Sequence, residues 1–352
     1  MKKRAENTTG IREIAKRANV SIGTVDRVIN NRPGVSAKTK ETIQKIIEEL
    51  DYQPNIMARM LASKKVIRIA ALIPSVSNET GYWNAPLKGI NEAASEIRNF
   101  GVVVDNYFFD QNAKQTFTDQ ADNILKQNYD GLLLAPMFEN ESIAFLSRCR
   151  QNHIPFVLIN SDLADQANVA YIGPDLFQSG YLAAHLSKYL ISASQTVLVV
   201  NISREIDLHH HLLKKEEGFR TSFEKEHTGV AIDKVDINET DYDSLQKTLK
   251  RVFKKNKPDL VFVTNSRVSS VARFFEENKI QDVKLIGYDF LEENIEYLKK
   301  GTIDFLICQK PQEQGYKGVM SIYQHLLQAP VESVQYMPID IITKENYSYY
   351  KN

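Results

Sequence analysis

Residues 18–30 read ANVSIGTVDRVIN, and this stretch decides how the N-terminal part of the chain folds. Asn19 breaks the helical pattern that precedes it, and Ser21 is a good N-cap for a second helix over residues 22–30. Helical spacing of apolar residues defines the first helix, at Ile11, Ile14, Ala15 and Ala18. The pattern therefore predicts two short helices joined by a tight turn.

The second and third helices each carry one apolar stripe. In the second helix this inward stripe is Val25, Val28 and Ile29. Its opposite face is formed by Ile22, Gly23, Asp26, Arg27 and Asn30. A third helix follows Ser36, its predicted N-cap, with a stripe at Ile43, Ile46, Ile47 and Leu50. Three short helices around one small core predict a helix-turn-helix unit, whose second helix would enter the major groove of DNA.

Charge is distributed unevenly along the chain although the formal net charge is zero. Residues 1–65 contain 14 Lys and Arg against 7 Asp and Glu, whereas the remainder contains 30 against 37. A basic head on an acidic body favours a polyanionic partner for the head. The charge alone would also fit a solvated lysine-rich N-terminus, but the helical pattern favours double-stranded DNA.

Length and composition restrict the class of protein. The chain has 352 residues, more than the roughly 100 to 200 of one domain, and is 43% hydrophobic and 25% charged. No apolar run approaches the roughly 18 residues of a membrane span, and the N-terminus MKKRAENTTG lacks the apolar region of a signal peptide. We therefore expect a cytoplasmic protein without a membrane partner. Cys149 and Cys308 lack metal-ligand spacing and are expected to be buried packing residues.

The body alternates short apolar strands with amphipathic helices. Nine strands are predicted: VIRIAALIP, VVVDNYFFD, GLLLAP, PFVLIN, VAYIG, TVLVVNI, DLVFVT, KLIGYD and TIDFLICQ. Such alternation predicts an α/β body of parallel sheets with helices on both faces. Because residues 66–352 are many for one sheet, we expect two lobes with a ligand cleft where the strand ends face each other.

Signatures of catalysis and metal binding are scarce. The sequence has no GxxxxGK[ST], GxGxxG after a strand, GxSxG or HExxH motif. Residues 209–211 are three consecutive histidines, which on a helix point in different directions, so a solvated or cleft-lining role is favoured over a metal site. We expect no catalytic residue, metal or cofactor. A sugar-processing enzyme would need paired carboxylates, whereas Asp110, Asp162 and Asp289 are isolated in the sequence. A transport protein would need a signal peptide and no DNA-binding head, whereas this sequence shows the reverse.

Polar and aromatic residues at the predicted strand ends suit a sugar-like ligand, which presents apolar ring faces and many hydroxyl groups. The candidate effector-binding residues are Trp83, Asn84, Asp110, Phe138, Asn160, Asp162, Asn265, Asp289, Phe290 and Gln309. For Asn265, Asp289 and Gln309 the alternative is a structural cap at a strand-to-helix turn. For Trp83, the only tryptophan, the alternative is a place in the core.

The stretch REIAKRANVSIGTVDRVINNRPGVSAKTKETIQKIIEELDYQPNIMARML resembles, in register, the head of the lactose-repressor (LacI/GalR) family of bacterial transcription regulators. The resemblance implies a helix-turn-helix domain over residues 1–53, a hinge helix and linker over 54–65, and an effector-binding, dimerising body over 66–352. The body would have the type I periplasmic sugar-binding fold, from Val66 to about Lys344. Its chain would cross between lobes near Leu163, Phe290 and Gln328, which gives one lobe of about 66–163 and 291–327 and another of about 164–290 and 328–352.

The resemblance also assigns roles on DNA. Base reading falls on Ile22, Gly23 and Arg27, and Arg27 has its own rationale because a guanidinium can bind guanine O6 and N7 together. Ser21 and Thr24 are candidates for phosphate contacts, and Asn30 shares the reading face. Asp26 departs from the small residue usual there; it could accept from a cytosine amino group, pair with Arg27 or point into solvent. In the hinge, the candidates are Asn55, Ala58 and Leu61, with Leu61 as a wedge in the minor groove; the alternative is a plain linker.

On the ligand side, the resemblance places Asn265, Asp289 and Gln309 where sugar-binding relatives hold their ligand. Two departures leave the ligand open. Relatives carry Asp-Arg or Asp-Asn where this chain has Asn160-Ser161, and an arginine where it has Leu213, for which Lys214 or Lys215 could substitute. A nucleobase or another small metabolite stays an alternative to a sugar. We expect a homodimer, or a higher oligomer, on a pseudo-palindromic operator, with repression as the family default and activation as the alternative.

Overall fold

The computed structural model describes residues 10–29, 32–50, 52, 66–77, 81–192, 195–204, 210–226 and 229–352. Contacts between residues divide the chain into two compact units, Met1–Lys65 and Val66–Asn352. Within the described ranges, the helices are all too short or too polar to cross a lipid bilayer.

The first unit is a three-helix bundle with one small core. Its helices are α1 (Ile11–Arg17), α2 (Ile22–Ile29) and α3 (Ala37–Glu49). Each contributes one fully buried side chain, respectively Ile14, Val25 and Ile43, and Val28 and Ile46 extend the same core. The predicted apolar stripes therefore meet in one place, and burial of each large side chain contributes about 1.5 to 3 kcal/mol.

Side-chain caps fix where α2 and α3 begin. The Ser21 hydroxyl accepts a hydrogen bond from the Thr24 backbone N–H at 3.1 Å, and Ser36 accepts one from Thr39 at 3.2 Å. Before α2, Asn19 takes a left-handed conformation with φ of 51°, which asparagine tolerates better than most residues. Both predicted caps and the predicted turn are thus present.

The second unit contains two six-stranded sheets. The strands are β1 (Ile67–Pro74), β2 (Val102–Phe109), β3 (Gly131–Leu134), β4 (Phe156–Ile159), β5 (Ala170–Gly173), β6 (Thr196–Ile202), β7 (Ala231–Ile237), β8 (Leu260–Val263), β9 (Lys284–Tyr288), β10 (Phe305–Cys308), β11 (Val334–Tyr336) and β12 (Asp340–Ile342). The first sheet has the order β11-β5-β4-β3-β1-β2, and the second has the order β12-β10-β9-β8-β6-β7. All pairings are parallel except β10 with β12.

Helices cover the sheets and define two lobes. They are α4 (Asn84–Ile97), α5 (Lys114–Leu125), α6 (Glu139–Gln151), α7 (Leu176–Ser187), α8 (His210–Lys225), α9 (Tyr242–Lys255), α10 (Val268–Glu277), α11 (Glu292–Lys300) and α12 (Pro311–Leu326). The first lobe consists of the first sheet with α4, α5, α6 and α12, and the second lobe consists of the second sheet with α7 to α11. This is the predicted α/β architecture.

Both faces of the second sheet are buried, as parallel sheets require. Alternate residues of one strand serve different cores: Val261 and Val263 of β8 pack with the cluster that includes α9, α10 and α11, whereas Leu260 and Phe262 pack with the cluster that includes α7 and α8. Because both faces are buried, polar side chains that bind a ligand are expected in the loops at the carboxyl ends of the strands.

All nine predicted strands form, but three further strands were missed. β7 is an edge strand with the sequence AIDKVDI, so it lacks the apolar run of a central strand. β11 and β12 are three residues long and also lie at sheet edges. Local sequence is least informative at such edges because a short exposed strand is specified by its pairing partner.

The predicted crossings between lobes are wrong. β5 pairs with β4 in the first sheet, so the first crossing follows Gly173 and does not lie near Leu163. β10 pairs with β9 in the second sheet, so the next crossing follows Cys308 and not Phe290. The third lies between β11 and β12, at 337–339, and not near Gln328. Each lobe keeps one more strand than predicted before the chain crosses, because pairing between distant segments decides sheet membership.

Candidate functional site

The exposed face of α2 carries the predicted DNA-reading residues. Ser21, Ile22, Gly23 and Arg27 are exposed, with 47% of the Ile22 surface accessible, and Thr24 is half-buried beside its cap. The Arg27 guanidinium has no hydrogen bond or ion pair within the described residues. It therefore remains available for an external acceptor. Asn30, Asn55, Ala58 and Leu61 lie outside the described residues.

Asp26 forms an ion pair that was not among the predictions from the sequence. Its carboxylate is 3.4 Å from the Arg32 guanidinium, which lies beyond the end of α2. Both side chains are substantially exposed, so the pair contributes at most about 1 kcal/mol. The pairing nevertheless lowers the repulsion that a carboxylate would meet beside a phosphate backbone.

A cleft lies between the two lobes of the second unit. The first lobe contributes Tyr82, Trp83, Gln111, Asn112, Met137 and Asn160. The second lobe and the crossing after β10 contribute Ile202, Ser203, His211, Lys215, Asn265, Ser266, Arg267, Asp289 and Gln309. Most of these residues follow the carboxyl ends of strands, where ligands of parallel sheets bind.

Aromatic rings form the wall contributed by the first lobe. Tyr82 and Trp83 precede α4, and their rings meet edge to face with centroids 5.2 Å apart. The Tyr82 hydroxyl donates a hydrogen bond to Asn160 Oδ1 at 2.8 Å. Asn160 follows β4 with φ of 69°, so its side chain is held by both its backbone and Tyr82. Only 8% of Tyr82 and 2% of Trp83 are exposed, so both rings belong largely to the core and border the cleft beside the Asn160 amide.

Two predicted cleft residues also have structural bonds. Asn265 donates from Nδ2 to the Ile202 carbonyl at 2.7 Å and accepts from the Arg267 N–H at 3.2 Å, so it links the end of β6 to the start of α10. Gln309 donates to the Ser179 hydroxyl at 2.9 Å, and Ser179 donates to the Tyr288 hydroxyl at 2.9 Å. The structural-cap alternative thus holds for Asn265, although its side chain still lines the cleft.

A carboxylate and an ammonium group lie buried in the second lobe's wall. Burial raises the pKa of Asp289 to about 6, an effect that Lys215 partly offsets. Burial lowers the pKa of Lys215 to about 8, and here Asp289 acts in the opposite direction. Asp289 follows β9 with φ of 75°, and its carboxylate accepts no hydrogen bond from the described residues. Both groups are therefore desolvated without being fully paired.

Lys215 is the lysine that faces the cleft. Its ammonium group donates to the Thr264 carbonyl oxygen at 3.2 Å and lies 3.7 Å from the centre of the Tyr288 ring. Lys214 instead forms an exposed ion pair with Glu217 at 2.8 Å. Of the two lysines considered as substitutes for an arginine, only Lys215 can meet a ligand.

Five of the ten predicted effector residues line the cleft: Trp83, Asn160, Asn265, Asp289 and Gln309. Phe138 was wrongly predicted, because it is fully buried against Phe109 and Phe117 in the first lobe's core. Asn84, Asp110, Asp162 and Phe290 are also outside the lining. Asn84 is the first residue of α4, and the Phe290 ring packs on the Tyr350 ring. The Asp110 carboxylate accepts a hydrogen bond from the Asn112 backbone N–H, and the Asp162 carboxylate accepts one from the Leu163 backbone N–H.

The missed cleft residues carry a weak signal in the sequence. Gln111 and Asn112 follow β2, Met137 follows β3, and Ser266 and Arg267 follow β8. Each lies within two residues of a position that was considered, so the strand-end rule located the loops but not the side chains. His211 belongs to the histidine cluster, for which a cleft-lining role was one of the predictions. Side-chain direction depends on loop conformation, which the pattern does not specify.

Comparison with known proteins agrees with both units. Residues 69–329 match the model of the periplasmic binding protein domain, and residues 10–55 match the model of bacterial regulatory proteins of the lacI family. The chain is a LacI-family regulator. The predicted family and fold class are thereby confirmed.

LacI-family relatives match along most of the chain. The probable HTH-type transcriptional repressor ExuR of Bacillus subtilis (strain 168) is 26% identical over 290 residues, covering 79% of this chain and 81% of the relative. A putative LacI transcriptional regulator from Bacteroides fragilis matches in structure with a TM-score of 0.76 and 27% identity, covering 82% of this chain and all of that one. GanP, a glucose-galactose binding protein from Geobacillus stearothermophilus, shares the fold with a TM-score of 0.73 and 24% identity. The match covers 80% of this chain and 99% of GanP.

Residues 10–55, which include α2, are the part of the chain that matches the lacI family of regulators. The protein is a DNA-binding transcriptional regulator whose body has the fold of sugar-binding proteins.

Proposed function

We propose that this regulator is a transcriptional repressor whose affinity for its operator is controlled by a sugar-like effector bound in the cleft. The observation that carries the proposal is the composition of the cleft, which takes aromatic and amide side chains from one lobe and further hydrogen-bonding and charged side chains from the other. Because a single ligand would contact both lobes, its binding free energy can favour one arrangement of the lobes over another.

On DNA, two copies of the chain would place two α2 helices in successive major grooves of a pseudo-palindromic operator. A homodimer supplies this two-fold symmetry with identical interfaces. Arg27 is the base-reading residue, since it is exposed and can bond guanine bidentately, while Ile22 supplies apolar contact with a thymine methyl group. Ser21 and Thr24 serve neutral phosphate contacts.

In the cleft, the Trp83 and Tyr82 rings suit the apolar face of a sugar ring. The amides of Asn160 and Gln309 and the carboxylate of Asp289 suit its hydroxyl groups, because they combine donors and acceptors. Residues 54–65 join the head to β1, so a change in lobe arrangement within a dimer would alter the pairing of the two hinge segments, with Asn55, Ala58 and Leu61 as their DNA contacts.

The test begins with the full-length protein and a random DNA library, from which repeated selection yields the preferred sequence. We expect the selected sequence to be a pseudo-palindrome. Analytical ultracentrifugation should show two chains, each of 40.2 kDa, bound per site. Fluorescence anisotropy of this labelled operator then follows the addition of candidate sugars. Selection of a single asymmetric half-site would contradict the dimer, and a sugar that saturates the cleft without changing operator affinity would contradict effector control.

A further inference from the structure

Lys215 carries a buried charge that Asp289 compensates only in part, without a direct ion pair between them. Its side chain is buried, with 5% of the residue exposed, and it forms no ion pair with a described carboxylate. One of its three N–H donors is used by the Thr264 carbonyl oxygen. A buried ammonium group with unused donors that lines a cleft is costly unless a ligand completes its coordination.

Close helix packing places this lysine in the wall. Helices α7 and α8 approach through Gly180, where a Cβ atom would lie 1.8 Å from the Lys215 carbonyl oxygen. The contact fixes the backbone of α8 at the residue that carries the ammonium group. Since the Tyr288 ring supports the ammonium group on one side at 3.7 Å, Lys215 has little freedom to reach solvent.

The neighbouring groups add to the positive charge. Among the described lining residues, Lys215 and Arg267 are cationic and Asp289 is the carboxylate. Thr264, which accepts from Lys215, is followed by Asn265, Ser266 and Arg267, and α10 begins at Val268. The positive end of a ten-residue helix therefore lies in the same loop as the acceptor of the Lys215 ammonium group.

We propose that the effector is an anionic derivative of a sugar and that its carboxylate or phosphate group binds Lys215. This inference rests on the proposed function, because it names the chemical class of ligand for the same cleft. An anion would accept charge-assisted hydrogen bonds, which are roughly twice as strong as neutral ones. Asp289 remains as an acceptor for hydroxyl groups elsewhere on the ligand, so the sugar frame and the anionic group have separate partners.

Trp83 provides a direct readout, since it is the only tryptophan and lines the cleft. The full-length protein is titrated with glucose, galactose and mannose, and with the uronate and the 6-phosphate of each, while tryptophan fluorescence is recorded. We expect at least one uronate or phosphate to bind about tenfold or more tightly than its parent sugar. Comparison of uronate with phosphate identifies which anionic group the site takes.

Neighbouring lysines supply a matched pair of variants. Lys215→Gln should abolish the advantage of the anionic ligand over its parent sugar, whereas Lys214→Gln, at an exposed position, should leave it intact. Lys215→Arg retains the charge and should retain part of the advantage. Circular dichroism verifies that each variant is folded. If Lys215→Gln does not fold, the affinities of the wild-type protein and of Lys215→Arg for the anionic ligands and their parent sugars still test whether the effector is anionic.

The outcomes distinguish failure of this inference alone from failure of the proposed function. A parent sugar that binds as tightly as its anionic derivatives would overturn the anionic class and leave a sugar-responsive regulator. An anionic advantage that survives in Lys215→Gln would overturn the role of Lys215. If every member of the panel fails to bind while operator binding is normal, both the anionic class and the sugar-like effector are wrong.

Discussion

At the scale of single residues, Arg27 shows how one exposed side chain determines sequence preference. It has no hydrogen bond or ion pair within the described residues. Arg27→Ala should reduce operator affinity by about 1 to 3 kcal/mol and relax the preference at one base pair of each half-site. Fluorescence anisotropy with a set of single-base-pair operator variants measures both effects.

The control for Arg27 is Lys45→Ala, an exposed cation on α3, which should not change base preference. An equal loss of affinity of Arg27→Ala for every DNA sequence would mean that Arg27 binds phosphate and reads no base.

Titration of the buried Asp289 carboxyl group should make the stability of the protein depend on pH. Its pKa in the folded protein is raised to about 6 from a usual 3.8, so between these values the folded state holds more protons than the unfolded state. The contribution of Asp289 to the free energy of unfolding therefore decreases as pH rises through this window, by up to about 3 kcal/mol. Asp289→Asn should remove this decrease, and asparagine tolerates the left-handed backbone found there.

Urea unfolding of the ligand-free protein and of Asp289→Asn between pH 4.5 and 7 checks this expectation. The variant should gain stability relative to wild type as the pH rises. A difference that is constant across the range would mean that the Asp289 carboxyl group titrates normally.

At the scale of elements, the pair α7 and α8 depends on one glycine. A side chain at Gly180 would collide with the backbone carbonyl of Lys215, which a rotamer change cannot relieve. Gly180→Val should therefore destabilise the second unit by about 1 to 3 kcal/mol and displace Lys215 from the cleft wall. Urea unfolding measures the first effect, and ligand titration by Trp83 fluorescence measures the second.

Gly81→Ala is the matched control for this substitution, because the nearest atom to its added Cβ lies at 3.6 Å, an ordinary contact. It should leave stability nearly unchanged. If Gly180→Val were as stable as wild type, the close approach of the two helices would not be required for folding.

At the scale of the whole molecule, the prediction concerns communication between cleft and operator. Asp289→Ala should abolish the response to effector while preserving operator affinity in its absence, since Asp289 belongs to the second unit and the reading helix to the first. Anisotropy with labelled operator, with and without effector, tests both statements. Loss of operator binding by the ligand-free variant would indicate a structural role for Asp289, and a normal response would place the effector elsewhere.

Local sequence patterns were sufficient to predict the three-helix head, nine of the strands and the general position of the cleft. These depend on local physics: the caps at Ser21 and Ser36, the apolar spacing of three helices, and the strand ends where parallel sheets carry their loops. Which sheet β5 and β10 join was not predictable from local patterns, because strand pairing links residues that are far apart in the chain. It likewise placed Phe138 in the core and directed Lys215, not Lys214, into the cleft, since the packing of α8 against α7 sets which face of that helix is buried.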